Sequence, residues 1–152
     1  MPPDMTAGFP AAAARLVAAT DVIGARALGD ALESTPGMRE RYDEHGLRQL
    51  LRDTRVMVER VAKSVASGDP IWTRDWTDWV APVYRRRGVP MDDVAALMQG
   101  VRRAAAALLS EEERVPLNEA VDASIAVLRY HRRFSGDART RNPILNAIYK
   151  GA

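Results

Sequence analysis

Between Leu47 and Val65, the residues Leu47, Leu50, Leu51, Thr54, Met57, Val58, Val61 and Val65 recur every three or four positions. Arg48, Arg52, Asp53, Arg55, Glu59 and Lys63 lie largely opposite them. This period fits a helix with one buried stripe and excludes an alternating strand. Such a stripe needs other apolar faces to cover it, and the rest of the chain repeats the pattern. Leu16, Ala19, Val22, Ile23 and Leu28 share a face over about Ala11 to Glu33, and a short helix is predicted over "PGMRERYDEH". Val94, Leu97, Met98, Val101, Ala105 and Leu108 make a further stripe, as do Leu117, Val121, Ile125 and Leu128.

The breaks between these stripes are chemically legible. Thr35-Pro36 ends one segment and starts the next, and Gly46 marks a joint. In "ASGDP", Gly68 suits the position after a helix, Asp69 an N-cap and Pro70 a first helical residue. The next helix should reach Arg87, kinked or divided where Pro82 removes a backbone donor. Gly88 closes it, and Pro90 with Asp92 and Asp93 opens another, the acids favouring the positive end of the helix dipole. Ser110 and Glu113 in "SEEE" form a capping box before the last long helix, in which Pro116 is close to the start and Gly136 supplies the stop.

The fold class expected is therefore all-α: a compact bundle of five or six helices, globin-like or four-helix-bundle-like, with a short C-terminal helix. Residues 1–10 read as a flexible start, 11–136 as the bundle and 137–152 as a tail. In that tail Asn142-Pro143 starts about two turns with Ile144, Leu145, Ile148 and Tyr149 on one side. So short a helix needs a surface to lie on, in this domain or on a partner. With 152 residues, 47% of them apolar and 28% charged, the chain fits one domain with a single core.

Composition narrows the chemistry. Without cysteine there is no disulfide framework, thiolate nucleophile or Cys-based metal site, and a reducing cytoplasm is the expected compartment. The opening "MPPDMTAGFPAAAARL" lacks a signal peptide's basic region and continuous apolar run, and no apolar stretch reaches about 18 residues, so no membrane association is expected. The only histidines, His45 and His131, stand in neither a zinc nor a nucleophile motif, and no Gly-rich phosphate loop follows a strand. No metal or cofactor is expected. A haem would need one of those imidazoles as axial ligand, and they sit in a polar turn and among arginines, both surface settings. Asp92, Asp93 and Glu111 to Glu113 are accounted for by helix starts.

Two features remain unabsorbed. "RYHRRFSGDARTR" carries Arg129, Arg132, Arg133, Arg139 and Arg141 against Asp137, with His131 among them. It reads either as a basic helix end or as a site for an anion, a nucleic-acid backbone or an acidic partner. In "DPIWTRDWTDWV", Trp72, Trp76 and Trp79 stand at i, i+4 and i+7, so one helix face carries three indoles. The simplest reading places that face in the core, with Arg74, Asp75, Thr77 and Asp78 on the other sides. The alternative is a ligand pocket or partner patch lined by Trp72, Trp76, Trp79 and Tyr84 and rimmed by Arg85, Arg86 and Arg87, suited to an amphipathic organic anion.

The stretch "WVAPVYRRRGVPMDDVAALMQGVRRAAAALL", residues 79–109, resembles the N-terminal helical sensor domains of RsbR-type stressosome proteins and related bacterial transcription regulators. The resemblance implies an all-helical, dimeric sensor that relays a signal to an output domain, which another chain would supply here. It carries no defined site residues onto this sequence. The functional expectation is a non-enzymatic, homodimeric regulatory domain that binds a partner protein, through Ile144, Leu145, Ile148 and Tyr149, and a small apolar or amphipathic ligand. A nucleic-acid module using residues 129–141 is the second reading, and an enzyme with a carboxylate in the Trp-lined cleft the third.

Overall fold

The computed structural model describes residues 8–135. Among them are seven helices and no strand: α1 (Pro10–Ala18), α2 (Thr20–Ser34), α3 (Met38–Arg41), α4 (Glu44–Ser67), α5 (Ile71–Arg86), α6 (Met91–Ala106) and α7 (Arg114–Ser135). The all-α bundle expected from the periodicity is present, and none of these helices is long and apolar enough to cross a membrane. The tail residues Ile144, Leu145, Ile148 and Tyr149, together with Arg139 and Arg141, lie outside the described residues.

The most regular stripe in the sequence becomes the central element. α4 buries Leu50, Thr54, Met57, Val58, Val61 and Val65 and touches α1, α2, α5, α6 and α7. Around it, α2 packs on α6, α6 on α7 and α7 on α5. Asp43 caps α4 by accepting the Gly46 amide at 2.8 Å, so Gly46 lies inside the first turn and is not a joint. At the other end Gly68 (φ 71°) closes the helix in the left-handed conformation that glycine adopts without strain.

Several boundaries differ from expectation. The segment 11–33 is broken at Ala19, so Val22 faces solvent while Ile23 and Ala27 enter the core. Pro82 neither divides nor ends α5, which continues to Arg86. α6 ends at Ala106, and the following turn exposes Leu108 and buries Leu109 in its place. Asp93 makes no cap; it is buried and binds α3.

The capping box is formed: Glu113 Oε1 accepts the Ser110 amide at 2.9 Å, and Ser110 Oγ accepts the Glu113 amide at 3.3 Å. Arg15 of α1 binds both Glu113 oxygens, at 2.7 and 3.2 Å, and donates to the Leu108 carbonyl at 2.6 Å. The Arg15 hydrogen bond first, and the Ser110 amide second, hold the Glu113 carboxyl down to about 2. A depressed carboxylate stabilises the fold above its unfolded value and ceases to do so as pH falls through its folded one. Glu113→Gln should therefore lower stability at pH 7, and the gap from wild type should close between about pH 4.5 and 2. Urea melts of both proteins across that range measure it.

Candidate functional site

α5 has two apolar faces, and only one belongs to the core. Thr73, Thr77, Val80, Ala81 and Tyr84 are buried, whereas Trp79 is 70% exposed, Trp72 42% exposed and Trp76 partly buried. The expectation that the indole face is the core thus fails for Trp72 and Trp79, while Trp76 packs partly buried against the core, and Thr77 lies inside the fold. The cause is a polar seam between α5 and α7. Thr73 Oγ1 donates to the Ala120 carbonyl at 2.6 Å, Thr77 Oγ1 donates to the Thr73 carbonyl at 2.6 Å, and Ser124 Oγ lies 2.7 Å from Thr77 Oγ1. Because the Thr77 proton is already given to a carbonyl, the Ser124 hydroxyl is the donor of that last bond. Small hydroxyl side chains permit close approach and satisfy their own polar atoms. Three indoles facing α7 would hold the helices apart.

α5 packs on α7, and between its other flank and α4 lies a groove of about 800 Å³. Trp72, Trp76, Trp79 and Val83 form the α5 wall, and Val56, Arg60 and Asp53 the α4 wall. This lies within the roughly 300–1,000 Å³ of small-molecule sites, and the lining has their character: apolar, with few polar groups. The two helices run antiparallel from the turn at Gly68–Pro70. Lys63 Nζ lies 5.3 Å from the Trp72 ring centroid near that turn, and Arg87 Nη1 lies 3.0 Å from Asp53 Oδ2 at the far end.

The far end is electrostatically tense. Asp53 Oδ2 is buried and receives no aligned hydrogen bond, so Arg87 holds it by charge. Burial pushes the Asp53 carboxyl up, and Arg87 and the neighbouring Tyr84 hydroxyl oppose that shift. Tyr84 is wholly buried, its hydroxyl also lacks an aligned acceptor, and burial reinforced by the Asp53 charge pushes its pKa up. Arg87 stacks on the Tyr84 ring at 5.1 Å, so one guanidinium links the groove's end to the core.

The three tryptophans and Arg87 from the sequence-based set therefore come together on the groove. Tyr84 lies in the core beneath, Arg85 is buried, and Arg86 is exposed, none of them on the lining. In the basic segment, His131 Nε2 lies 2.8 Å from Asp78 Oδ1 and Arg132 Nη1 3.2 Å from Asp92 Oδ1, so acids already face two of its side chains. Arg129 and Arg133 are exposed. His45 is exposed in the first turn of α4. No group of three or more potential metal-ligating side chains occurs among the described residues.

Sequence reasoning missed Asp53, Val56 and Arg60. All three lie on the best amphipathic helix, where Asp53 reads as a solvated position and Val56 and Arg60 belong to neither the apolar stripe nor the polar set opposite it. The available signal was the abundance of indole on the next helix, which leaves more apolar area than one core-facing stripe accommodates. No protein-family model, curated protein or solved structure matches the chain.

Proposed function

We propose that this chain is a non-enzymatic regulatory domain whose α4–α5 groove binds a small apolar or amphipathic molecule and passes its occupancy to a partner protein. The observation that carries this reading is the outward turn of the indoles: Trp79 at 70% and Trp72 at 42% exposure line one groove of about 800 Å³. Exposed indoles clustered around a concavity are what a site for an apolar molecule requires. Occupancy would act on the spacing of α4 and α5, and the Arg87–Asp53 contact lies at the end where α5 leads into α6. A molecule preferring one spacing shifts the bundle toward it by its difference in affinity. The likeness of residues 79–109 to RsbR-type sensor domains supports the same reading, since that stretch spans the end of α5, the turn and α6.

Native mass spectrometry of freshly purified protein, repeated after denaturation, tests it. Expected is a bound non-protein species that denaturation releases, with about tenfold weaker retention in Trp79→Ala, whose side chain supports no core contact. A bare protein that also takes up no apolar compound added at millimolar concentration would remove the ligand from this reading.

A further inference from the structure

The groove's charges select among apolar ligands. Four charged side chains line it: Asp53, Arg60, Asp75 and Arg87. Asp53 and Arg87 are paired with each other, and Asp75 with Arg74 at 3.3 Å. Arg60 is half-buried in the α4 wall, forms no ion pair among the described residues, and has a buried Nε with no hydrogen-bond partner. The nearby cation Lys63 lies over the Trp72 ring. The lining thus holds one uncommitted positive charge beside an apolar wall.

We infer that the groove takes a carboxylate-headed amphiphile, its monoanionic head on the Arg60 guanidinium and its apolar body along Trp72, Trp76 and Trp79. This rests on the proposed function of the same groove and adds the chemical class of its ligand. A planar carboxylate matches the guanidinium fork and supplies the counter-charge that Arg60 lacks among the described residues. A dianionic head would leave a second negative charge unanswered in a lining that already holds Asp53 and Asp75. A cationic head would face Arg60 itself. Geometry sets the size. Arg60 lies along α4 between the Lys63–Trp72 and Asp53–Arg87 contacts, so the wall runs about 5 Å from it toward the first and about 10 Å toward the second. A body of about that length can lie along it.

Tryptophan fluorescence titrations with decanoate, decan-1-ol and decyltrimethylammonium test the inference, because the three probes share a chain and differ in head charge. The wild-type protein should bind decanoate about tenfold more tightly than decanol, and the cation least. Arg60→Gln should bring decanoate to the affinity of decanol without changing decanol itself, while Trp79→Ala should weaken both. Equal binding of decanoate and decanol, or a preference that survives Arg60→Gln, overturns the anion inference and leaves the apolar groove standing. Binding of none of the three overturns the groove reading with it. Should Arg60→Gln fail to fold, Arg60→Lys, which keeps the charge and loses the fork, is expected to retain only part of the preference; full retention counts against the inference.

Discussion

Asp93→Asn is expected to destabilise the domain by about 3–5 kcal/mol, enough to lower the melting temperature by about 10 °C or more. Asp93 lies in the first turn of α6 with no exposed side-chain surface. Its two oxygens receive Arg41 Nη2 at 2.6 Å and Nε at 2.9 Å, and Tyr42 Oη donates to it at 2.6 Å. Burial, and then the Asp93 hydrogen bond, push the Tyr42 hydroxyl up, so it stays protonated as a donor. An amide at this position turns an NH2 group toward one of these donors and leaves the partly buried Arg41 guanidinium without its counter-charge. Asp92 provides the control. It stands in the same first turn, its side chain is 38% exposed, and it faces Arg132 at 3.2 Å, so Asp92→Asn should cost less than about 1 kcal/mol. Thermal melts of the two variants measure the contrast; equal, small losses would show that the α3–α6 staple contributes little.

The second large effect reverses a general rule. Alanine in place of a helical glycine usually stabilises, by about 0.5–1 kcal/mol. At Gly100 in α6 an added Cβ would meet Ala27 of α2 at 2.6 Å from its carbonyl oxygen and 2.8 Å from its Cα. Backbone cannot move aside as a long side chain can, so the α2–α6 crossing must open. Gly100→Ala is expected to cost about 1–3 kcal/mol, and Gly100→Val more. Gly29, in α2, has nothing within 4 Å of the same position, and Gly29→Ala should stabilise by about 0.5–1 kcal/mol. Urea denaturation of the two alanine variants should give opposite signs. A stabilised Gly100→Ala would contradict the close crossing.

Local rules and long-range contacts were unequally legible in the sequence. The α4 stripe, the Gly68 stop and the Ser110–Glu113 box depend on residues a few positions apart, and each forms as its spacing implies. Asp93 was read as a helix-start acid because Arg41 and Tyr42, 51 or 52 positions away, are invisible to a local rule. The indole face failed for a related reason. Both faces of α5 are plausible core from spacing alone, and the choice is made by Thr73 and Thr77 finding Ala120 and Ser124 on α7. Size also misleads, because large side chains suggest a core where close packing of small ones wins. Arg60 becomes notable only once its α5 neighbours are known.

The central claim, that the indoles line an open groove, is tested most directly by tryptophan fluorescence with acrylamide as quencher. All three tryptophans of the chain lie on this one surface, so the signal has no other source. Expected is red-shifted emission that acrylamide quenches readily, with the accessible fraction falling most in Trp79→Phe, and with quenching suppressed once an apolar ligand is bound. Blue-shifted emission that resists the quencher, and changes equally on removal of any of the three, would place the indoles in the core and contradict the groove.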